Sequence, residues 1–384
     1  MRRFIVCAIA LVSAFGQSSV CSAAQFSVTD LGTVDVSSIN VNNVVKINSS
    51  GLISGTAAIP PSTISHAYLY ANGVRTDLGT LGAKSFARAI NDSGQVVGGS
   101  GLADGSGHAF VFDDGAMHDL GTLGGPGSTA FDINNLGHIT GRSSTSGDTA
   151  VHAFIYRDGM MQDIGVLPGT TLSFGYAINS VGQVAGSATA TNSTGIAFSH
   201  AFLYRDGVMQ DLGTLGGRDS EPHDINDNGD VVGQSETVPN NRIGNAFLYH
   251  NGVMQDLGTL GSPGSSANAI NNLGQIVGAG DIQIGSALHG RAFLYEDGVL
   301  HDLNNSIDLL SGWELNSATG INDFGQIVGY GRNGIDFRDH AFLLNPVPEP
   351  SSLVLAALGL SGLAVWRLRG STRGKSRALS RHPN

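Results

Sequence analysis

The stretch HAFLYRDGVMQDLGTLGG, residues 200–217, with INDNGDVVGQS following at 225–235, decides how this chain is read. Apolar and polar residues alternate through HAFLY and again through VMQDL, which is the period of a strand rather than a helix. Asp206-Gly207 stands between the two runs. A two-residue Asp-Gly or Asn-Gly link favours a type I′ turn, because both of its residues take positive φ. The two runs therefore predict a hairpin. Ile225-Asn226-x-x-Gly229 predicts a second hairpin, with glycine in the left-handed position of a slightly longer turn.

The unit recurs. Ile-Asn-x-x-Gly begins at residues 47, 90, 133, 178, 225, 270 and 321, so successive copies stand 43 to 51 residues apart. The aromatic of the HAF segment recurs as Tyr68, Phe110, Phe154, Phe202, Phe247, Phe293 and Phe342. The Asp of Asp-Leu-Gly, or its Ile and Asn variants, recurs at 30, 77, 119, 163, 211, 256 and 302. Each unit reads as four short strands with turn chemistry at every boundary, and the body carries no helical period with caps. Four antiparallel strands in about 45 residues is the spelling of a propeller blade. The prediction is an all-β, seven-bladed β-propeller of four-stranded antiparallel blades. Solenoids with one strand per turn use shorter periods, and a single sandwich would not repeat seven times.

The ends of the repeat array do not match. The last copy stops at HAFLLNP, residues 340–346, with no turn and no fourth strand, whereas FSVTDLG, residues 26–32, is a fourth strand preceding any copy. Pairing 26–31 with 341–345 would complete the seventh blade from both chain ends and remove an open edge. The alternative is an open array with both edges unmatched.

Composition agrees with an exported β protein. Gly is 55 of 384 residues and charged residues are 13%, a turn-rich load without a collagen period, while 41% apolar content recurring in order excludes a disordered chain. Residues 1–24 carry Arg2 and Arg3, an apolar run from Phe4 to Phe15, and small residues ahead of a cleavage point between Ala24 and Gln25. That predicts a secretory signal peptide. The run is too short for a stable transmembrane helix, and the residues before Cys21 make a poor lipobox. Cys7 and Cys21 are the only cysteines, so the mature chain is predicted to be held by packing and strand pairing without disulfides. Eight of the 20 Lys and Arg lie in the two ends, which leaves 12 against 30 of the 31 acids in residues 25–346, a formal −18. No basic patch remains for nucleic acid.

These units resemble the HAF-repeat family of bacterial extracellular proteins over roughly residues 26–345. The resemblance implies an exported protein and supplies no catalytic activity. A weaker likeness is to FG-GAP propeller repeats, in which a loop after the first strand can hold calcium. Residues 347–384 resemble a PEP-CTERM sorting tail: Val347-Pro348-Glu349-Pro350, an apolar run Leu353–Trp366, then the basic cluster. The run is short for an independent span, and the flanking arginines place the end in the cytoplasm. The resemblance implies a short transmembrane helix before processing, recognition by an exosortase-type enzyme, and delivery to the surface of a Gram-negative, often exopolysaccharide-making, bacterium. The competing reading is a plain C-terminal anchor.

Candidate chemistry is thin. Five histidines open the third strand, but Asn245 and Arg291 fill the same slot. A metal-ligand set would not accept that, so they read as strand-start hydrogen bonders, and the repeated Asp as an acceptor for backbone donors at a strand end. Function should sit in what differs between units. The long, varied loops share one face, and their most individual residues are Arg218, Asp219, Glu221 with His223, and Trp313. Trp313 would stack on a sugar or pack between blades. Asp224, Asn226 and Asn228 fit the start of a calcium loop, where Ca2+ competes with a plain hairpin. No nucleophile elbow, HExxH or phosphate loop occurs. The expectation is a non-enzymatic surface or matrix module, binding or structural, linked to exopolysaccharide. The rival is a propeller enzyme acting on glycans through loop acids. Three or more unit-specific ionisable groups converging at the central channel would favour the enzyme.

Overall fold

The computed structural model describes residues 25–33, 45–58, 64–147, 150–191, 197–239, 243–336 and 338–347. The predicted signal peptide, residues 1–24, and Pro348, Glu349 and Pro350 of the sorting motif with the tail beyond, lie outside them. Among the described residues the chain is all-β, apart from two single 3₁₀ turns. After β1 (Phe26–Thr33), strands come in groups of four. Sheet 1 holds β2 (Val45–Ile47), β3 (Ile53–Ala58), β4 (Ser65–Ala71) and β5 (Val74–Asp77). Sheet 2 holds β6 (Ser85–Ile90), β7 (Val96–Gly101), β8 (Gly107–Asp113) and β9 (Ala116–Asp119). Sheet 3 holds β10 (Gly124–Ile133), β11 (Ile139–Thr145), β12 (Val151–Arg157) and β13 (Met160–Asp163), joined to sheet 2 by one parallel bridge between Gly127 and Gly107. Sheet 4 holds β14 (Leu172–Ile178), β15 (Val184–Thr191), β16 (Ala197–Arg205) and β17 (Val208–Gly213). Sheet 5 holds β18 (Ser220–Ile225), β19 (Val231–Glu236), β20 (Gly244–His250) and β21 (Val253–Asp256). Sheet 6 holds β22 (Ser265–Ile270), β23 (Ile276–Ile284), β24 (Ala287–Glu296) and β25 (Val299–Asp302). Sheet 7 holds β26 (Trp313–Ile321), β27 (Ile327–Asn333) and β28 (Asp339–Pro346), and β1 is its fourth strand.

Turn chemistry places the strands. The non-glycine residues with positive φ among the described residues are Asn72, Asp114, Asp158, Asp206, Asn251 and Asp297, each followed by a glycine also at positive φ. These are the six two-residue links between third and fourth strands, with the backbone a type I′ turn requires. The Ile-Asn-x-x-Gly turns close as predicted. Gly229, at φ 82°, donates its N–H to the Asn226 carbonyl, and the Asn226 side chain accepts from the backbone N–H groups of Asn228 and Asp230.

Among the described residues the core is divided into seven clusters, each shared by two neighbouring sheets. The HAF aromatic of each unit is fully buried, from Tyr68 to Phe342. A recurrent serine ties neighbouring sheets: Ser220 Oγ accepts from Ala201 N at 2.9 Å and donates to Gly213 O at 2.6 Å. Six of the clusters join consecutive sheets. The seventh, with Leu31, Val45, Ile53, Val328 and Ala341, joins sheet 7 to sheet 1.

The two chain ends pair. β1 runs antiparallel to β28, from Phe26 opposite Pro346 to Thr33 opposite His340, with a bulge between Asp30 and Gly32. The Asp30 carboxylate accepts from His340 Nδ1 at 2.8 Å and from the Gly32 N–H at 2.7 Å. Within single units the same slots make the same pair, as in His200–Asp211 with Gly213 N. The first Asp-Leu-Gly of the sequence thus serves the last HAF segment, more than 300 positions away.

Candidate functional site: a channel faced by every sheet

The turn after each first strand brings one Ile-Asn pair per sheet around a common opening. A cavity of about 220 Å³ there is lined from all seven sheets. Asn48 Nδ2 donates to Asn91 O, and the pattern continues through Asn134, Asn179, Asn226, Asn271 and Asn322 at 2.8–3.2 Å. Asn322 Nδ2 donates in turn to Asn48 O at 3.0 Å. Each asparagine is nearly buried, so each amide that failed to find its neighbour would leave a costly unpaired group. The repeated Asn is therefore scaffold.

Below that ring the units differ. The residue before each Ile is Lys46, Ala89, Asp132, Ala177, Asp224, Ala269 or Gly320, and these line a second space of about 150 Å³ with Phe131, Tyr176 and His223. Asp132 Oδ2 accepts from Ile178 N at 2.8 Å, and Asp224 accepts from Ile225 N and from Ile270 N, each at 2.9 Å. Both carboxyls keep surface open to the channel yet sit deep in the molecule, away from bulk solvent. Burial pushes the Asp132 carboxyl up to about 7, with the Asp224 charge adding to it. Burial also raises Asp224, against the opposing pull of Lys46. His223 Nδ1 lies 2.8 Å from Ala267 O, so Nδ1 donates a hydrogen bond there.

Towards the face that carries the long loops, the wall becomes aromatic and cationic. Phe131 stacks on Tyr176 at 5.4 Å between centroids, and Tyr176 on Phe174 at 6.3 Å. The Arg88 guanidinium lies over Phe86 and over Phe131, at 5.2 and 5.6 Å. Arg142 lies over Phe131 and Phe174, at 5.9 and 5.7 Å. Two guanidiniums thus share one phenyl ring. Burial lowers the Arg88 pKa, and the Arg142 charge lowers it further. Burial raises the Tyr176 phenol, and the Glu221 carboxylate raises it further.

The residues singled out from sequence are divided between places. Glu221 and His223 belong to the channel wall. Arg218 is tied to Asp219 at 2.8 Å, and Asp219 also accepts from Ser199 N, in a cleft beside Glu221. Trp313 packs edge-on against His340 and Phe342, at 6.2 Å from each, on the core between sheets 6 and 7. Asp224, Asn226 and Asn228 each spend their side chains on hydrogen bonds: Asp224 below the ring, Asn226 within it, and Asn228 to Asn272 O at 3.4 Å. Among the described residues no group of three His, Cys, Asp or Glu is placed to hold a metal ion. Sequence reasoning missed Lys46, Arg88, Phe131, Asp132, Arg142, Phe174 and Tyr176. For Lys46, Arg88, Phe131, Asp132 and Tyr176 the sequence showed only that the two residues before Ile-Asn vary from unit to unit inside an otherwise fixed frame; Arg142 and Phe174 lie outside those positions.

Comparison with known proteins gives partial matches. A family model described as a protein of unknown function (DUF3466) matches residues 224–340. The PEP-CTERM protein-sorting motif matches residues 346–369. The chain therefore ends in an exosortase-type sorting signal, which marks it for export and the cell surface. Val347 is the last described residue, and its N–H donates to Gln25 O at 2.8 Å, so the sorting segment starts where the two chain ends meet. Among the described residues no helix is long and apolar enough to cross a membrane. No curated protein matches the chain. Among solved structures it is similar to the β-propeller domain of the trilobed protease from Pyrococcus furiosus, at 13% identity and TM-score 0.48, over 67% of this chain and 80% of that one. A Trypanosoma rangeli sialidase in complex with sialic acid matches at 10% identity and TM-score 0.36, over 94% of this chain and 64% of the sialidase chain. A mutant Aleuria aurantia lectin in complex with α-methyl-L-fucoside matches at 10% and 0.32, over 69% and 97%. Likenesses of this size say nothing about activity.

Proposed function

We propose that the chain is a closed seven-bladed propeller, carried to the cell surface or matrix by its sorting tail, that works as a non-enzymatic module binding extracellular polysaccharide. The carrying observation is the channel wall, where Phe131, Phe174 and Tyr176 offer ring faces beside the charges of Arg88, Arg142 and Glu221. Flat aromatic faces beside polar groups suit sugar rings, which present apolar C–H faces and hydroxyl edges. A rigid frame holding such groups at one mouth needs little ordering on binding. A glycan array probed with the body, residues 25–346, tests this reading. Selective binding to a subset of polysaccharides, lost in Tyr176→Ala, is the expected result. Uniform signal across all sugars would overturn it.

A second reading has its own observation. Lys46, Asp132, His223 and Asp224 converge in the channel, and a carboxyl held near neutrality beside a second acid is what a glycan-cleaving enzyme requires. Both carboxyls, however, are spent on backbone N–H groups of the next sheet, which is a bracing role. Release of reducing ends from a bound polysaccharide, abolished in Asp132→Asn and Asp224→Asn, would establish the enzyme instead.

A further inference from the structure

We infer that the face carrying the Ile-Asn-x-x-Gly turns rests on the bilayer that takes up the sorting tail, and that its apolar rim fits a zwitterionic lipid surface. The opposite face, with the long loops and the aromatic channel wall, is thereby turned outward.

Both ends of the body leave from the turn face. In six sheets the third strand runs into an Asp-Gly or Asn-Gly link on that face, and in the seventh it ends at Pro346, opposite Phe26. Gly325 closes the last Ile-Asn-x-x-Gly turn, and a Cβ on it would stand 3.4 Å from Pro346 Cγ. Gln326 Nε2 donates to Asn345 Oδ1 at 2.7 Å beside it. Only residues 348–352 separate Val347 from the apolar run Leu353–Trp366, which Arg367 and Arg369 follow. Even fully extended, that spacer reaches about 20 Å. An apolar run flanked by arginines partitions into a bilayer. It therefore tethers the turn face within that reach and raises the effective concentration of any weak contact the face can make.

The residue before the turn glycine supplies that contact. It is Leu136, Val181, Leu273 or Phe324 in four sheets, each 67–71% exposed. Ser50, Ser93 and Asn228 fill the same slot in the other three, so the turn itself asks for no apolar side chain. Single exposed apolar residues need no explanation, but these four stand on turns that surround one opening, and Phe324 adjoins the glycine that meets Pro346. Apolar tips on a rigid frame sink into the boundary between headgroups and acyl chains. One position earlier stand Asp92, Asp227 and Asp323, exposed on the same rim, each accepting from a backbone N–H of a neighbouring turn. Their carboxylates repel an anionic surface and suit the ammonium ends of zwitterionic headgroups. The long-loop side exposes Leu309, Leu310 and Ile335 as well. The tail leaves from the other side, and the tether decides between the two.

Residues 25–384 contain no cysteine, so a single dye can be placed on either face. Ser93→Cys puts it on the turn face and Ser146→Cys on the long-loop face, both at exposed positions. The labelled chain, with its tail, is mixed with phosphatidylcholine vesicles carrying a nitroxide lipid, and quenching of the dye is read. The Ser93 label should be quenched several-fold more than the Ser146 label. Leu136→Asn, Val181→Asn, Leu273→Asn and Phe324→Asn, made together, copy the residue that sheet 5 already uses. They should bring the two labels level while the chain still floats with the vesicles. Replacing part of the phosphatidylcholine with phosphatidylglycerol should lower quenching of the Ser93 label at low salt. Equal quenching of the two labels in the parent chain, or stronger quenching at Ser146, would overturn the inference. Quenching at Ser93 that survives the four substitutions would leave the tether as the sole cause and overturn the role of the rim. Stronger quenching with phosphatidylglycerol would overturn the zwitterionic assignment. A chain that does not float with the vesicles would remove the tether, and the inference with it.

Discussion

Gly278 shows why each residue of the repeat is spelled as it is. A Cβ there would stand 2.6 Å from the Cζ of Phe293 and would also meet the Ser266 carbonyl. The same relation holds at Gly329 with Phe342, again 2.6 Å. Small residue and large ring are therefore one unit of packing, repeated around the molecule. Gly278→Ala should cost about 1–3 kcal/mol by overpacking, and Phe293→Ala about 3–5 kcal/mol by leaving a cavity; urea unfolding of both variants checks the pair.

At the same scale, two titrating groups set a pH dependence. Asp132 has a folded pKa raised to about 7 by burial and the Asp224 charge, above its unfolded value of about 3.9. A raised pKa favours the protonated form in the native state, so the contribution is full below about pH 4 and is lost as pH rises towards 7. Burial would lower the His340 pKa, but its bonds to Asp30 and Asp336 more than reverse this and raise it. Its contribution is full below about 6.5 and is lost as pH climbs through the raised value. Both groups make the protein less stable as pH rises. Asp132→Asn should make the fall in stability between about pH 4 and 7 shallower, leaving the share of the likewise raised Asp224 and the His340 part, as denaturant midpoints across that range would show.

At the scale of the element, hairpins were legible because their chemistry is local. Asp114-Gly115 sits at φ 47° and 81°, a backbone that β-branched residues resist. Asp114→Val should cost about 1–2 kcal/mol, whereas Asp114→Asn should be nearly neutral; thermal melts of the two distinguish turn strain from loss of charge. What faced the channel was not legible, and a bulge is the reason. The first strands shift register just before Ile-Asn, as between Ala87 and Ala89 and between Ala130 and Asp132. One extra residue breaks the two-residue alternation by which faces are read from sequence. Arg88 and Phe131 are those extra residues, and Asp132 and Asp224 follow such a break. The long loops drew attention because they are variable, yet the most individual chemistry sits at these bulges. Of the loop residues, Arg218 and Asp219 neutralise each other and Trp313 joins a core.

At the scale of the whole molecule, the mismatch of the repeat ends was readable because counting needs no geometry. Seven markers of each kind, with one fourth strand at the start and one missing at the end, imply a partner over a long sequence distance. What counting could not supply was the means. The ends are joined by Asp30 accepting from both His340 and Asn333, by Leu31 in the cluster with Val45 and Ala341, and by Gln25 accepting from Val347. Asp30 and His340 should therefore be coupled. A double-mutant cycle with Asp30→Ala and His340→Ala should give an interaction energy of about 0.5–3 kcal/mol, while additive losses would mean that the pair contributes independently.

The central claim is that the ring is closed by its own chain ends. The most direct measurement is chemical unfolding of the body, residues 25–346, with and without residues 26–31. That deletion removes the buried Phe26 and Leu31 and strips His340 of its Asp30 partner. A closed ring predicts one cooperative transition at a lower midpoint, with stability reduced by about 3–6 kcal/mol for the two buried side chains. A truncated body that unfolds at the same midpoint as the intact one would contradict it.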